Sequence, residues 1–289
     1  GVALINCLPK TAWPPTSGQL TGSAVLTSYL LDQIEVRENK RRPAVIVCPG
    51  GGYKNRSDRE SEPIITQFLA MGCHGFLLDY SVAPNRFPTS LLELAKAVAF
   101  IRKQGDDWNV DPNQIYICGF SAAGHLACSL GVFWNRSFVY DTLGVNAEVI
   151  KPRGLILCYP VITSGNFAHK DSFLHLLGEN VGEKQMQGVS LELHVTKDMP
   201  EAFIWHTYED STVPVENSML LASAMREAGI RHELHIYPYG IHGLALANKE
   251  TSGVRLDLNI SACQSWVALV KAWLETNVHK GEDYAISEN

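Results

Sequence analysis

Ser121 is the residue whose surroundings most clearly suggest chemistry. It follows the short apolar run Ile115–Cys118, and small and apolar residues at helical spacing come after it. A serine between a strand and a helix can be an N-cap that accepts an orphan backbone N–H. It can also be the nucleophile of a G-x-S-x-G elbow, with Gly119 and Ala123 at the two positions that must be small. A dinucleotide loop needs glycine where Ser121 stands, so that alternative is set aside. This segment alone leaves N-cap and nucleophile open.

A serine nucleophile of this type needs an oxyanion hole after an early strand. The strand-like run Ala44–Cys48 leads into Gly50, Gly51 and Gly52, whose backbone can approach a ligand without interference from a Cβ atom. A flexible loop is the alternative; a phosphate loop would require a later G-K-[ST], which the sequence lacks. The expected oxyanion donors are the N–H groups of Gly51, Gly52 and Ala122.

The acid and the histidine should follow the serine in the order Ser…Asp/Glu…His. Asp210 follows a late strand and is the expected acid, with the adjacent Glu209 as a rival; Asp198 precedes that strand, at its wrong end. His242 stands in a glycine-flanked loop after the last strand, whereas we expect His125 to be a packing residue. The pattern predicts that Ser121 attacks a carbonyl carbon, His242 carries its proton, and Asp210 orients His242.

Composition restricts the partners and cofactors. The formal net charge is −6 and no basic stripe is present, so nucleic acid and membrane surfaces are not expected partners. His232 and His235 are three apart in a strand-like run and face opposite sides of a sheet. We therefore expect no metal and no cofactor.

The seven cysteines indicate a compartment. Cys48, Cys118 and Cys158 lie in apolar strand-like runs and are expected to be buried free thiols. Free thiols and the lack of a visible secretory signal favour a reducing, cytoplasmic location. The chain begins with Gly1 rather than Met, which leaves a trimmed start open.

Alternating strand-like and helix-like segments predict an α/β fold, with a mostly parallel sheet covered by helices on both faces. The expected strands are Ala44–Cys48, Ile115–Cys118, His74–Tyr80, Gly154–Tyr159, Glu201–His206 and Arg231–Tyr237. The expected helices are Ser61–Met71, Pro88–Gln104, Val215–Ala228 and Ile260–Asn277, besides the one after Ser121. No linker divides the chain, so residues 1–289 are expected to form one domain.

Three segments carry local expectations. Residues 1–43 should supply an entry arm and antiparallel edge strands, and residues 163–200 should form a small lid or pocket wall with a short helix. Ser57 and Glu60 resemble a capping box at the start of the helix Ser61–Met71.

Four stretches together resemble a known family. "RPAVIVCPGGGY", "SDRESEP", "GFSAAGHLA" and "VPVENS" are similar to the bacterial α/β-hydrolase esterases of the acetylesterase and acetyl-xylan esterase type, relatives of the hormone-sensitive-lipase group. The likeness covers roughly residues 40 to 275 and implies the α/β-hydrolase fold, the triad Ser121, Asp210 and His242, and short acyl groups, often acetyl, on sugars or simple alcohols. Ala123 departs from the glycine of many members, and no loss of activity is expected from it.

The expected function is therefore that of a serine carboxylesterase acting on a small-molecule or oligosaccharide ester; a homo-oligomer is compatible with the sequence. A longer-chain lipase-like carboxylesterase, a small peptidase of the same fold and a non-catalytic binding protein are the alternatives. Arg59 and Glu62 are expected to fix a helix start rather than touch substrate. Four residues at strand or loop ends on the expected active face are pocket candidates: Tyr53, Tyr80, Ser81 and Ser164.

Overall fold

The central sheet sets the position of every residue discussed below. The computed structural model describes residues 2–5, 24–33 and 41–286, and eight strands within these ranges form one sheet in the order β1-β2-β4-β3-β5-β6-β7-β8. The strands are β1 (Val2–Ile5), β2 (Val25–Tyr29), β3 (Arg42–Cys48), β4 (His74–Asp79), β5 (Val110–Phe120), β6 (Gly154–Cys158), β7 (Glu201–Thr207) and β8 (His232–Tyr237).

Strand direction agrees with the sequence pattern. β2 runs antiparallel to both of its neighbours, and all pairs from β4 to β8 are parallel. The core of β3 and all of β6 are buried, which is why their sequences are continuous apolar runs rather than alternating ones. The predicted mostly parallel sheet is confirmed, as are the antiparallel edge strands in the described part of 1–43; residues 6–23 and 34–40 lie outside the described residues.

Helices cover the sheet on both faces, as predicted. Helices α2, α4 and α9 pack on one face through residues such as Leu94, Leu126 and Leu221, and α1 and α11 pack on the other through Phe68 and Trp266. The helices are α1 (Glu62–Ala70), α2 (Thr89–Lys103), α3 (Gly105–Trp108), α4 (Ala122–Phe133), α5 (Ser137–Leu143), α6 (Ala147–Ile150), α7 (Lys170–Leu177), α8 (Glu183–Gln187), α9 (Glu216–Glu227), α10 (Lys249–Ser252) and α11 (Trp266–Ile286).

Two elements differ from their predicted bounds by more than two residues. The strand expected over residues 115–118 is longer, since β5 spans Val110–Phe120. The last helix begins at Trp266 rather than at Ile260, because the Ile260 N–H donates to the Ala247 carbonyl and a 3₁₀ turn, Cys263–Ser265, follows. None of the described helices is both long enough and apolar enough to serve as a membrane span.

The expected capping box at residues 57–60 is wrong. Asp58–Glu60 forms a 3₁₀ turn of its own ahead of α1, and the Ser57 side chain caps no helix. The Glu60 carboxylate turns inward and accepts a hydrogen bond from the Gly50 N–H at 2.8 Å. The Glu60 side chain therefore binds a loop of the active face instead of a helix end.

The insertion 163–200 contains more regular structure than expected. It holds α7, α8 and a 3₁₀ turn at Leu191–His194 rather than one short helix. Phe173 of α7 and Leu191 are buried against the core on the α2/α4 face of the sheet. The predicted free thiols Cys48, Cys118 and Cys158 are confirmed as buried and unpaired.

Candidate active site

Ser121 occupies a sharp turn between β5 and α4. Its backbone has φ 53° and ψ −119°, a region that non-glycine residues rarely adopt and that is often retained where function needs it. A Cβ at Gly119 would lie 2.2 Å from the Ala123 carbonyl oxygen, and one at Gly124 would lie 2.6 Å from the Pro160 Cβ. Close packing thus explains the small residues on either side of Ser121.

Ser121, His242 and Asp210 form one hydrogen-bonded chain. Ser121 Oγ lies 2.8 Å from His242 Nε2, and His242 Nδ1 lies 2.6 Å from Asp210 Oδ2. Because a carboxylate only accepts, the Nδ1–H of His242 donates to Asp210, which leaves Nε2 to accept the Ser121 hydroxyl. This arrangement can remove the hydroxyl proton as the oxygen attacks an electrophile.

Asp210 is held in its ionised form. Its Oδ1 accepts the N–H groups of Thr212 at 3.0 Å and Val213 at 2.9 Å, and His206 Nε2 lies 3.3 Å from its Oδ2. Burial raises the pKa of the carboxyl, but hydrogen bonds from His206 and His242 outweigh burial, and the pKa lies well below its ordinary value. A charged Asp210 fixes the tautomer of His242.

The rival residues have other partners. Glu209 accepts the Gly240 N–H at 3.2 Å, and Asp198 accepts the Asn135 side-chain amide away from the site. His125 is fully buried, and its Nε2–H donates to the Val189 carbonyl at 2.8 Å. Burial lowers the pKa of His125 to about 4, so the ring is neutral at pH 7 and packs in the core as expected.

The glycine loop adopts a conformation that only glycine takes readily. Gly51 has φ 139° and Gly52 has φ 64°, and a Cβ on Gly51 would lie 2.3 Å from the Asn55 carbonyl oxygen. No acceptor among the described residues takes the N–H of Gly51 or Gly52. Ala122 is the first residue of α4, so its N–H has no intrahelical acceptor. All three groups can therefore donate to a ligand; their role as oxyanion donors stays a prediction.

Helix α7 of the insertion holds the same loop. The Nδ1–H of His175 donates to the Gly52 carbonyl at 3.0 Å. A Cβ on Gly52 would lie 3.9 Å from Ser172 Oγ and 4.0 Å from His169 Cε1, and these two side chains are hydrogen-bonded to each other at 2.8 Å. The pKa of His169 is lowered by burial and by the nearby His242. The insertion thus forms a wall beside Gly52.

Two of the predicted pocket residues face inward. Tyr80 is fully buried and its hydroxyl donates to the Pro49 carbonyl at 2.8 Å. Ser81 is buried, and its hydroxyl and N–H both donate to the Glu93 carboxylate, at 2.6 and 2.7 Å. Both hydroxyls are thus engaged within the protein, because a position at a strand end fixes the edge of the sheet but not the direction of the side chain; substrate contact by Tyr80 and Ser81 stays a prediction.

The other two pocket candidates are also hydrogen-bonded within the protein. The Tyr53 hydroxyl donates to His125 Nδ1 at 2.9 Å, and its side chain is almost fully buried. The Ser164 hydroxyl donates to the Met186 carbonyl at 2.9 Å, and Ser164 lines a cavity of about 320 Å³ within the insertion. Substrate contact by Tyr53 and Ser164 stays a prediction.

Sequence reasoning did not identify a buried network behind the site. Glu60 Oε1 accepts the Tyr159 hydroxyl at 2.7 Å, and the Tyr159 oxygen accepts the Ala245 N–H at 2.9 Å. The Tyr159 ring packs edge-on against the His242 imidazole, with centroids 5.1 Å apart. Glu60 stands in the polar run "SDRESE", so nothing in its local pattern marks it as buried.

Arg59 makes structural contacts different from the expected ones, whereas Glu62 stands at a helix start as expected. Arg59 donates to the Gly243 carbonyl at 2.8 Å and to the Thr251 carbonyl, so it holds the segment after His242 rather than a helix start. Glu62 begins α1 and accepts the Tyr29 hydroxyl of β2 at 2.7 Å. No three His, Cys, Asp or Glu side chains among the described residues are grouped so as to hold a metal ion.

Comparison with known proteins points to one family. The family model described as BD-FAE matches residues 33–225. The chain is 40% identical over 220 residues to endo-1,4-beta-xylanase B of Butyrivibrio fibrisolvens, a match that covers 74% of this chain and 34% of that protein. It is 31% identical over 216 residues to an acetylxylan esterase of Xylanibacter ruminicola, covering 71% of this chain and 42% of that protein. The chain therefore matches between a third and a half of the length of these two relatives.

Solved structures show the same fold over nearly the whole chain. An acetyl ester-xyloside bifunctional hydrolase from Caldicellulosiruptor lactoaceticus superposes with a TM-score of 0.77 at 35% identity, covering 95% of this chain and 96% of that one. The carboxylesterase Cest-2923 from Lactobacillus plantarum WCFS1 superposes with a TM-score of 0.80 at 27% identity, covering 96% and 97%.

Proposed function

Because this chain belongs to the BD-FAE family of α/β-hydrolases, we propose that it is a serine carboxylesterase that hydrolyses short acyl esters, with Ser121, His242 and Asp210 as its triad. The observation that carries the proposal is the continuous chain from Ser121 Oγ through His242 to Asp210, at 2.8 and 2.6 Å, on a sharply turned serine. Relatives that are named as esterases support the type of bond cleaved.

The first half of the reaction makes an acyl-enzyme. Ser121 Oγ attacks the ester carbonyl carbon while His242 Nε2 takes the hydroxyl proton, and ionised Asp210 stabilises the imidazolium that forms. The carbonyl oxygen becomes an oxyanion, to which the N–H groups of Gly51, Gly52 and Ala122 donate. Removing one such donor typically costs about 3–4 kcal/mol of transition-state stabilisation. His242 then gives its proton to the departing alkoxide, and the alcohol leaves.

The second half returns the enzyme to its resting state. Water attacks the acyl carbon while His242 accepts its proton, and the same backbone N–H groups stabilise the second oxyanion. When this intermediate collapses, Ser121 regains its proton from His242 and the carboxylic acid is released. No step needs a metal ion or a cofactor.

The proposed substrate is a carbohydrate acetyl ester, in which the alcohol half is a sugar hydroxyl. The names of two relatives, an acetylxylan esterase and an acetyl ester-xyloside bifunctional hydrolase, support this choice. The α7 wall beside Gly52 is consistent with a small acyl group, because Ser172 and His169 occupy the space next to the expected oxyanion donor.

The test is a rate profile over p-nitrophenyl esters from acetyl to dodecanoyl, with acetylated xylo-oligosaccharide assayed in parallel. We expect a steep fall beyond butyryl and release of acetate from the sugar. A maximum at longer chains would instead assign a lipase-like carboxylesterase, and cleavage of aminoacyl-amides would assign a peptidase. Ser121→Ala is the control for the nucleophile; full esterase activity in that variant would refute the proposed mechanism.

A further inference from the structure

We propose that Glu60 and Tyr159 form a buried bridge between two loops: residues 50–52, the glycine loop, and residues 242–245, the histidine loop. The bridge fixes one loop relative to the other, which makes Glu60 a positioning residue for ester hydrolysis. The inference rests on the proposed function, because it concerns the alignment of groups that act in the proposed reaction. Neither residue touches the expected substrate; both act through the loops that do.

One end of the bridge is attached to the glycine loop. Glu60 is 4% exposed, and its Oε2 accepts the N–H of Gly50, the residue before the expected oxyanion donors Gly51 and Gly52. A Cβ on Gly50 would lie 2.8 Å from Glu60 Oε2 and 2.9 Å from Ser121 Cβ. The carboxylate therefore lies directly behind the point where the glycine loop passes the serine.

The other end is attached to the histidine loop. Tyr159 donates its hydroxyl to Glu60 Oε1 at 2.7 Å and accepts the N–H of Ala245, three residues after His242, at 2.9 Å. Its ring packs against the His242 imidazole itself. Tyr159 is fixed in turn by its own N–H, which donates to the Trp205 carbonyl at 2.7 Å. Movement of Glu60 or Tyr159 is thus transmitted to His242.

The adjacent Arg59 strengthens this interpretation. It donates to the Gly243 carbonyl, so two consecutive residues of one 3₁₀ turn hold the histidine loop, one directly and one through Tyr159. A core residue that only filled space would not need hydrogen bonds to both loops. The two loops carry the expected oxyanion donors and the expected base, whose relative position must be accurate in the transition state.

The two donors that meet at position 60 favour a carboxylate there. Two donors, an N–H and an O–H, point at one buried side chain, and a carboxylate accepts both. An amide has one acceptor oxygen, so it can accept only one of these donors; with that oxygen on the Gly50 N–H, its N–H₂ group would have to donate to the Tyr159 oxygen and turn the hydroxyl proton out of the bridge. Burial raises the pKa of Glu60, and the hydrogen bonds from Tyr159 and Gly50 oppose this effect.

The decisive variant is therefore Glu60→Gln, assayed on p-nitrophenyl acetate. We expect kcat to fall by about 10- to 100-fold while KM stays within about 3-fold, since misplacement of reacting groups lowers kcat. The rate of Ser121 labelling by a fluorophosphonate should fall in parallel. Glu60→Asp keeps two acceptor oxygens on a shorter stem and should recover part of the lost rate.

Tyr159→Phe provides an independent route if Glu60→Gln folds poorly. It breaks the link to Ala245 but leaves the Glu60–Gly50 bond, and it should lower kcat in the same way. If the two residues form a single bridge, kcat of the double variant Glu60→Gln/Tyr159→Phe should be little lower than that of the slower single variant, because both changes remove the same connection.

Glu93→Gln is the matched control. Glu93 is also a buried carboxylate that accepts hydrogen bonds, from Ser81 and from the backbone of Ala24, and neither partner belongs to the glycine loop or the histidine loop. It should lower the thermal midpoint while kcat stays within about 3-fold of wild type.

Two results would overturn the inference: normal kcat per folded molecule in both Glu60→Gln and Tyr159→Phe, or an equal loss of kcat in Glu93→Gln. Failure of the proposed function looks different, since the wild-type chain would then show neither ester hydrolysis nor fluorophosphonate labelling, or Ser121→Ala would remain active.

Discussion

Asp210 Oδ2 lies 3.3 Å from Nε2 of His206, so the carboxylate that faces His242 is shared with a second, fully buried imidazole. His206 is held in place by Ser218 Oγ at 2.7 Å and by the Val213 carbonyl at 2.9 Å. The Asp210 carboxylate thus has two histidines and two backbone N–H groups as partners, and together they fix its orientation.

This arrangement predicts the effect of Asp210→Asn. The amide can present a donor to His242 Nδ1, which would reverse the tautomer and leave Nε2 protonated, unable to accept the Ser121 proton. We expect kcat on p-nitrophenyl acetate to fall by about 10,000-fold, as for such a change in other serine triads. Glu209→Gln is the neighbouring control and should stay within about 3-fold. The reverse ranking of the two variants would move the acid to Glu209.

The buried His125 predicts a loss of stability in mild acid. Its pKa is about 4 in the folded chain and 6.5 in the reference state, so between these values the unfolded chain binds a proton that the folded chain does not. The contribution of His125 to the free energy of unfolding should be fully present above about pH 6.5. Between pH 6.5 and pH 4 it should decrease by about 1.4 kcal/mol for each pH unit.

Urea unfolding at several pH values measures this slope. His125→Gln keeps a donor and an acceptor but does not titrate, and its unfolding free energy should depend less steeply on pH between 6.5 and 4. Equal slopes in the two proteins would mean that His125 is protonated or hydrated in the folded chain.

The turn at Ser121 predicts a contrast between two glycine substitutions. Gly119→Ala would place a methyl group 2.2 Å from a backbone oxygen, and we expect a loss of about 3 kcal/mol in unfolding free energy from the resulting strain. Gly229→Ala is the control: Gly229 has φ 77° but no atom within 4 Å of the added Cβ, so about 1 kcal/mol is expected. Chemical denaturation compares the unfolding free energies of the two variants when both curves are fitted with the same dependence on denaturant concentration. Equal losses would contradict the packing argument.

The contact between α7 and the glycine loop predicts a kinetic effect of His175→Phe. Loss of the hydrogen bond to the Gly52 carbonyl should loosen the loop and lower kcat by about 10-fold, with p-nitrophenyl acetate as substrate. His194 of the same insertion donates to the Gln187 carbonyl, away from the glycine loop. His194→Phe should therefore leave kcat near the wild-type value, and a matching decrease in both variants would point to a general disturbance of the insertion.

The main residues of the candidate site could be predicted because topology restricts them. Ser121, Asp210 and His242 each follow a strand of a mostly parallel sheet, and the carboxyl ends of parallel strands meet at one edge. Periodicity in the sequence is enough to locate those strand ends, and the chain order then distinguishes the acid from the base.

Residues whose partners are loop backbone atoms could not be predicted in this way. Glu60 bonds with the Gly50 N–H, His175 with the Gly52 carbonyl and Arg59 with the Gly243 carbonyl. The path of those loops is set by tertiary packing rather than by any local pattern. The same limitation applies to the partners of Tyr80 and Ser81, because periodicity does not determine which way a side chain turns after a strand has ended.

The attachment of His175 to Gly52 also matters for attempts to change substrate range by exchanging the insertion 163–200 for that of a relative. A grafted segment would bring a new pocket wall but also a new neighbour for the Gly52 carbonyl, so selectivity and turnover would change together. A chimera meant to change ester preference without changing turnover should therefore keep a hydrogen-bond donor at position 175. Otherwise it needs a compensating change in the glycine loop.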